Sequence, residues 1–222
     1  MPDRSYDVAV VGAGIIGCAC AMELARAGRS VVVLEAIGIA GDASCRAMGH
    51  VGVYDDSPAQ MTLSRYGVEC WNELAPALPP EVDFVRRGAL WIAAETDEMA
   101  EVEAKARRYH ELGVEAYPVD ARRLHELEPQ LRPTLAGALH VPGDIVLDAA
   151  EATRYLAGRA KELGAEFRVP AHVRALSTAG PVLDGGELVR SVRTVLATGW
   201  RAPELLPGLA IRPRKGLSLI HI

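Results

Sequence analysis

Three glycines near the amino terminus have the spacing that lets a polypeptide backbone approach a dinucleotide. Gly12, Gly14 and Gly17 follow an apolar run and lead into a stretch of small residues, which gives a G-x-G-x-x-G pattern. The first glycine permits a tight turn, the second leaves space for a pyrophosphate, and the third lets a helix pack closely on a strand. The N–H groups and the positive dipole at the start of that helix would then face the phosphates.

A carboxylate follows at the distance expected for a group that binds ribose. Glu35 comes directly after the second apolar run, residues 30–34. Ribose hydroxyls can donate hydrogen bonds to such a carboxylate, and each bond contributes roughly 1.5–3 kcal/mol. The same charge would repel a 2′-phosphate, which disfavours NADP. The pattern does not separate FAD from NAD, and a glycine-rich turn without a ligand is the simplest alternative.

The elements that position these residues form a strand–turn–helix–strand unit, and the same kind of pattern returns late in the chain. Asp148 begins a second amphipathic helix, and the strand after it is expected to be parallel to the first two. We expect the strands and the first helix at residues 6–11, 16–27, 30–34, 165–169 and 191–197. This arrangement predicts an α/β fold with a doubly wound, Rossmann-like parallel sheet.

The middle of the chain does not continue that pattern. Short strands and charged helices between residues 81 and 142 predict an α+β insert. We therefore expect a discontinuous nucleotide-binding domain, residues 1–80 and 143–205, and a second, partial domain, residues 81–142 and 206–222.

Composition narrows the class of protein. The 222 residues carry a net charge of -5, which gives no electrostatic case for nucleic acid or an anionic membrane. No signal peptide and no transmembrane segment are recognisable. None of the four cysteines has metal-site spacing, so we expect no metal site, free thiols and a cytoplasmic location. No acid–base pair stands out either. His50, beside glycines in a loop, is expected to pack or donate hydrogen bonds more often than to catalyse.

Several stretches, taken together, resemble the FAD-dependent oxidoreductases of the D-amino acid oxidase family, which includes glycine oxidase, sarcosine oxidase and D-amino acid dehydrogenase. Each stretch is weak alone, but six of them in the order of the family are specific. They are residues 10–17 with Glu35, 43–50, 87–93, 127–131, 195–200 and 212–216. The resemblance covers nearly the whole chain and corresponds to the amino-terminal portion of the family.

The resemblance implies FAD as the cofactor, with contacts from four parts of the chain. Residues 43–50 match the loop that passes the phosphates and the isoalloxazine ring, and the backbone of Val173 matches the position beside adenine. No catalytic residue is assigned. The implied cofactor-binding residues are Gly12, Gly14, Ile15, Ile16, Gly17, Glu35, Ala36, Ala43, Ser44, Met48, Gly49, His50, Val173, Ala197 and Gly199.

The activity implied by the resemblance is oxidation of an amino acid or secondary amine, in which a hydride passes to the flavin and water hydrolyses the imine. Residues 81–142 would then belong to a substrate domain. The match stops at Gly216, so we expect the natural chain to continue, and His221 is not a candidate. Within the family, the hydroxyproline-type dehydrogenases are slightly favoured by residues 54–58 and 214–216. That resemblance implies hetero-oligomeric partner subunits or a membrane electron acceptor. A NAD-binding dehydrogenase and a non-catalytic FAD-binding subunit are the alternatives.

Overall fold

A computed structural model describes residues 4–55 and 57–213. Within it the chain divides into two compact units. The first unit comprises the residues up to Met48 and those from Asp148 onwards, and the second unit comprises Gly49–Leu147. The predictions that concern Arg214, Lys215, Gly216 and His221 fall outside the described residues, as does the part of the prediction for residues 54–58 that concerns Asp56.

The secondary structure alternates between the two classes in the first unit and is more irregular in the second. The strands are β1 Tyr6–Val11, β2 Val31–Leu34, β3 His50–Val51, β4 Val85–Arg86, β5 Ala89–Ala93, β6 Tyr117–Asp120, β7 Gly137–Val141, β8 Ile145–Val146, β9 Glu166–Arg168, β10 Val173–Ser177, β11 Gly180–Leu183 and β12 Ser191–Leu196. The α-helices are α1 Ile15–Arg26, α2 Ala43–Arg46, α3 Pro58–Leu74, α4 Met99–Glu111, α5 Ala121–Leu127, α6 Ala149–Glu162 and α7 Ala202–Leu205.

A four-stranded parallel sheet is the centre of the first unit. Its strand order is β12-β1-β2-β9, and the expectation that the strand near residue 166 runs parallel to β2 is confirmed. The last four residues of β1, Val8 to Val11, are all apolar, and so is the whole of β2, which is buried along its length. Near-continuous apolar runs are typical of parallel strands that are covered on both faces. The expected α/β class with a parallel sheet is therefore confirmed.

Two helices with small residues pack side by side in the same unit. α1 buries Gly17, Cys18 and Ala21 along one face, and it lies against α6. Asp148 is the N-cap of α6. Its carboxylate accepts hydrogen bonds from the backbone N–H groups of Ala150 and Glu151, both at 2.9 Å. An N-cap of this kind satisfies donors that the first turn cannot pair internally.

The second unit contains two antiparallel sheets, β3-β8-β4 and β5-β7-β6. Its core forms around Tyr109 on α4, whose ring is fully buried and whose hydroxyl donates a 2.8 Å hydrogen bond to the carbonyl of Val53. Met61 of α3 and Leu139 of β7 belong to the same cluster. The cluster therefore joins parts of the chain that lie more than 80 residues apart, from Val53 to Leu139.

The structure divides the chain at a different place from the expected domain boundary. Residues 49–80 were expected in the nucleotide-binding domain, but they belong to the second unit. The physical reason is that Val53 and Met61 are buried in the cluster around Tyr109 rather than against the parallel sheet. The described residues after 205 were expected in the other domain, yet they group with the first unit, where Leu206 lines a cavity.

Candidate cofactor site

The turn between β1 and α1 depends on two glycines for steric reasons. Gly12 has φ +104°, and a Cβ atom there would lie 2.5 Å from the carbonyl oxygen of Ala197 on the neighbouring segment. A Cβ atom on Gly17 would lie 1.9 Å from the carbonyl oxygen of Gly12. Side chains are therefore excluded at both positions by backbone atoms, which is how the third glycine lets α1 approach β1.

Gly14 differs from its two neighbours because the fold itself does not require a glycine there. Its φ is -75°, and a Cβ atom would meet only the Ser44 hydroxyl oxygen, at 3.2 Å. It is the N-cap of α1 without a side-chain hydrogen bond, and no acidic residue lies in the first turn. The absent side chain leaves space, and no acidic side chain within the first turn offsets the helix dipole. Both features suit an anion at this helix terminus.

The carboxylate of Glu35 is held by backbone donors on both sides of it. Its Oε2 atom accepts a 2.7 Å hydrogen bond from Ala13 N, and its Oε1 atom accepts bonds from Ile37 N at 2.7 Å and Gly38 N at 3.3 Å. Two carboxylate oxygens have about four lone-pair positions between them. Glu35 therefore orders the glycine turn and the following loop and retains acceptor capacity for a ligand hydroxyl.

A cavity of about 610 Å³ opens beside this turn within the first unit. Its volume is in the range of ligand and cofactor sites, roughly 300–1,000 Å³. The structure brings together most of the residues expected to bind the cofactor. Those that line the cavity are Gly12, Gly14, Ile15, Ile16, Glu35, Ala36, Ala43, Ser44, Val173, Ala197 and Gly199.

Four expected residues do not line the cavity. Gly17 lies beneath the turn, where it makes room for the backbone, and Met48 is exposed. Gly49 and His50 belong to the second unit.

Several residues that line the cavity were not expected from the sequence, among them Thr198, Trp200, Arg201, Leu209 and Ile211. Thr198 and Trp200 flank Gly199, so the signal that marked this glycine also pointed to its neighbours.

The side chain of Thr198 provides an independent indication of a ligand. Its hydroxyl oxygen is buried and has no hydrogen-bond partner among the residues that the structure describes. Buried polar groups are normally paired, because an unpaired one costs about 1–3 kcal/mol. Thr198 also lines the cavity, so a polar ligand group can supply the missing partner. This hydroxyl, the space at Gly14 and the helix terminus fit a dinucleotide such as FAD.

His50 lies in a chain of three polar side chains within the second unit. Its Nε2 atom is 3.0 Å from Oδ2 of Asp144, and its Nδ1 atom is 3.1 Å from the hydroxyl of Tyr54. Asp144 is 3% exposed, so its carboxyl group is buried. Burial, assisted by the nearby Asp144 charge, raises the pKa of Tyr54. The histidine thus connects a buried carboxylate with a phenol.

Other chemical features of the described residues are unremarkable for catalysis. The thiol of Cys18 is buried, and burial together with the Glu35 charge raises its pKa to about 12, so it is protonated at neutral pH. Residues 4–55 and 57–213 contain no group of three or more side chains suited to a metal ion. Among the same residues, no helix combines the length and apolar character needed to cross a bilayer.

A family profile decides what this arrangement belongs to. The profile described as DAO, FAD dependent oxidoreductase, matches residues 7–221, so the match continues beyond Gly216, where the resemblance was expected to stop. The chain belongs to this FAD-dependent oxidoreductase family. Membership decides the choice that the glycine spacing left open, because the cofactor of the family is FAD rather than NAD. The expected resemblance is thereby confirmed.

Individual proteins that are similar to this chain agree with the assignment. Glycine oxidase from Geobacillus kaustophilus is 28% identical over 228 residues, which cover 96% of this chain and 58% of the relative. The crystal structure of glycine oxidase from Bacillus cereus superimposes with a TM-score of 0.82 at 28% identity, covering 90% of this chain and 57% of that one. A glycerol 3-phosphate dehydrogenase from Caloramator mitchellensis is 32% identical over 165 residues, which cover 72% of this chain and 34% of the relative.

The chain spans about 58% of the length of the glycine oxidase that it matches. The matched part corresponds to the amino-terminal portion of that relative. Within this span the chain contains the glycine turn, the carboxylate of Glu35 and the cavity.

Proposed function

We propose that this protein is an FAD-dependent enzyme that oxidises the C–N bond of a small amino acid or secondary amine. The observation that carries the proposal is the cavity beside the start of α1, which Gly14, Glu35 and Thr198 line, the last with a buried hydroxyl that lacks a partner among the described residues. In this chemistry the carbon next to the nitrogen loses a hydride to the flavin, and water hydrolyses the resulting imine.

The residues of this chain are proposed to bind and orient the cofactor. Backbone N–H groups at the start of α1 would hold the pyrophosphate, with Gly14 leaving room for it. The Oε atoms of Glu35 would accept hydrogen bonds from the ribose, and Ser44, whose hydroxyl accepts a 2.9 Å bond from Ile15 N, would keep the adjoining loop in position. Val173, Ala197 and Gly199 would line the remaining cofactor surface.

The second unit is proposed to contribute to the substrate domain. We also keep Met48, Gly49 and His50 as proposed contacts of the cofactor, on the basis of the family resemblance. An amine substrate is favoured because glycine oxidases match most of the chain at 28% identity. Hetero-oligomeric partners and a membrane electron acceptor belong to the same proposal. The four free cysteines favour a reducing compartment such as the cytoplasm.

The proposal is tested first by the absorption spectrum of the purified native gene product. We expect a yellow protein whose flavin is released as FAD on denaturation. Anaerobic addition of glycine, sarcosine, D-amino acids or proline analogues should then bleach the flavin band. Glycerol 3-phosphate is the contrasting substrate, because one relative is a dehydrogenase of that compound.

The outcomes separate the competing functions. Bleaching by an amine and not by glycerol 3-phosphate supports the proposal, and the reverse pattern overturns its substrate class. Bound FAD that none of these compounds reduces favours a non-catalytic flavin subunit instead. Protein without FAD, even after refolding in its presence, contradicts the proposed cofactor site itself.

A further inference from the structure

An acidic side chain joins two segments that line the cavity. Asp42 lies in the loop after Glu35, immediately before α2, and Trp200 lies in a short 3-10 turn, Gly199–Arg201, after β12. The indole Nε1 atom of Trp200 donates a 3.0 Å hydrogen bond to Oδ2 of Asp42. The two residues are 158 positions apart in the chain, and both line the cavity.

Cationic side chains contact both residues of this link, but of those that the structure describes only Arg201 touches the two of them. Arg201 lies 3.7 Å from the same Oδ2 atom and stacks over the ring of Trp200 with its guanidinium carbon 4.1 Å from the ring centroid. Arg46, in the helix α2 that follows Asp42, donates a 2.8 Å bond to the other carboxylate oxygen of Asp42. Glu204 in turn pairs with Arg201 at 3.3 Å. Asp42 therefore has a charged or hydrogen-bonding partner at each oxygen.

The loop that contains Asp42 is also tied to the glycine turn. Ala40 N donates a 3.0 Å bond to the carbonyl of Ala13, and Ile15 N donates one to the hydroxyl of Ser44. The loop thus meets the glycine turn on one side and the segment after β12 on the other. A ligand in the cavity has the glycine turn, the loop and that segment around it.

We propose that the Asp42–Trp200 link is a cofactor-retention clamp, which slows FAD release by holding two cavity-lining segments together. The inference rests on the proposed function, since it presupposes that FAD occupies this cavity. Asp42 and Trp200 are positioning residues in this proposal, and the chemistry of oxidation does not depend on them. The clamp therefore affects how long the cofactor stays more than how the bound cofactor reacts.

The test measures the rate of FAD dissociation from the holoprotein. Flavin fluorescence rises as FAD leaves after dilution, so the rate can be followed directly. Trp200→Phe removes the N–H donor but keeps an aromatic ring for Arg201. Asp42→Asn replaces the charged acceptor of that hydrogen bond with a neutral amide oxygen, which weakens the bond. We expect each variant to release FAD about fivefold faster, a modest effect because Trp200 is 37% exposed.

A double variant shows whether the two residues act together. When two residues contribute through one contact, the effects of their substitutions do not add. The double variant Asp42→Asn/Trp200→Phe should therefore release FAD no faster than the faster single variant. Arg46→Gln is the matched control, because Arg46 pairs with Asp42 from four residues away and does not join the two segments. Its dissociation rate should stay within about twofold of the wild-type rate.

Three results would overturn the clamp. Dissociation rates unchanged in both single variants, multiplicative effects in the double variant, or an equal acceleration in Arg46→Gln would each do so. These results differ from failure of the proposed function, in which the wild-type protein itself would bind no FAD and the clamp would fall with it. If Trp200→Phe does not fold, Asp42→Asn against Arg46→Gln still decides the question.

Discussion

The Nε2 atom of His50 lies 3.0 Å from the Oδ2 atom of Asp144, 94 positions further along the chain. The carboxylate is nearly buried, with a side-chain exposure of 4%, and the imidazole is 18% exposed. A Cβ atom on Gly52 would lie 2.5 Å from the same oxygen, so the chain passes close to this pair. The contact fixes the β3 segment to the turn before β8.

Loss of this contact should destabilise the second unit. Asp144→Ala leaves the imidazole without its buried partner, and hydrogen bonds to charged groups contribute about 1.5–3 kcal/mol. We expect a decrease of that size in the free energy of unfolding, measured with urea. The control is Asp184→Ala, which removes the partner of His172 at 2.9 Å in an exposed pair, with side-chain exposures of 59% and 68%. That variant should unfold like the wild type, and an equal loss in both would contradict the role of burial.

The fold of the first unit was largely predictable because its signals are local. The apolar runs and the glycines define β1, α1 and β2 within about 30 residues, and the sequence contains them in order. The boundary between the two compact units differs from the expected domain boundary, because it depends on long-range packing. The sequence around Met61 contains no local pattern that indicates whether its side chain packs in the cluster with Tyr109 or against the parallel sheet. β3 and β8 have two residues each, too few for a periodic signal.

The candidate site also contains parts that local sequence predicts and parts that depend on distant residues. The glycine turn and Glu35 were predictable because backbone geometry at a helix start is encoded within a few residues. The bond from Trp200 to Asp42 and the contact of His50 with Asp144 join residues 158 and 94 positions apart. A single sequence contains no periodicity that connects such residues, so only the folded chain reveals them.

The glycines of the turn should separate folding from cofactor binding. Gly17→Ala would bring a Cβ atom within 1.9 Å of the Gly12 carbonyl, so the backbone must move. We expect a loss of about 1–3 kcal/mol or more in stability, by analogy with overpacked cores. Gly14→Ala meets only the Ser44 hydroxyl at 3.2 Å, so the apoprotein should melt near the wild-type temperature.

Cofactor affinity provides the second half of this comparison. The Cβ atom of Gly14→Ala occupies the space expected for the pyrophosphate, so the Kd for FAD should rise at least about tenfold, which is a loss of about 1.4 kcal/mol in binding. Flavin fluorescence titration measures Kd, and differential scanning fluorimetry of the apoprotein measures melting. Wild-type affinity in Gly14→Ala would place the pyrophosphate elsewhere.

Glu35 should affect cofactor binding through both its ligand role and its local bonds. Glu35→Ala leaves the N–H groups of Ala13 and Ile37 without the carboxylate that accepts their 2.7 Å bonds, and it removes the proposed acceptor for ribose. We expect weaker FAD binding by about tenfold or more, since charge-assisted bonds contribute about 1.5–3 kcal/mol each.

The control for Glu35 is a surface carboxylate of the same unit. Glu23 on α1 pairs with Arg26 at 2.7 Å and does not line the cavity, so Glu23→Ala should bind FAD like the wild type. The relative rates with different amine substrates should be unchanged in Glu35→Ala. A changed substrate preference with unaltered FAD affinity would mean that Glu35 contacts the substrate instead.

Low pH should reduce the stability of the second unit, because the carboxylate of Asp55 becomes protonated. Burial raises the pKa of this carboxyl, but hydrogen bonds and charges from Lys105 and Arg108 outweigh burial, and the pKa is lowered from its ordinary value of 3.8. A carboxyl whose pKa is lower in the folded state stabilises the protein fully above the unfolded-state pKa. That contribution is lost as the pH falls below 3.8 and through the folded-state pKa.

Asp55→Asn should therefore flatten the acid limb of the stability curve. Urea unfolding between about pH 5 and 2 should show a steeper decline for the wild type than for the variant, because the variant has no proton to take up at this position. Asp55 has 11% side-chain exposure, and Lys105 and Arg108 both bind it. Glu103→Gln, in an exposed pair with Arg107 at 3.9 Å, should keep the wild-type slope. Parallel curves for wild type and Asp55→Asn would show that another carboxyl controls acid unfolding.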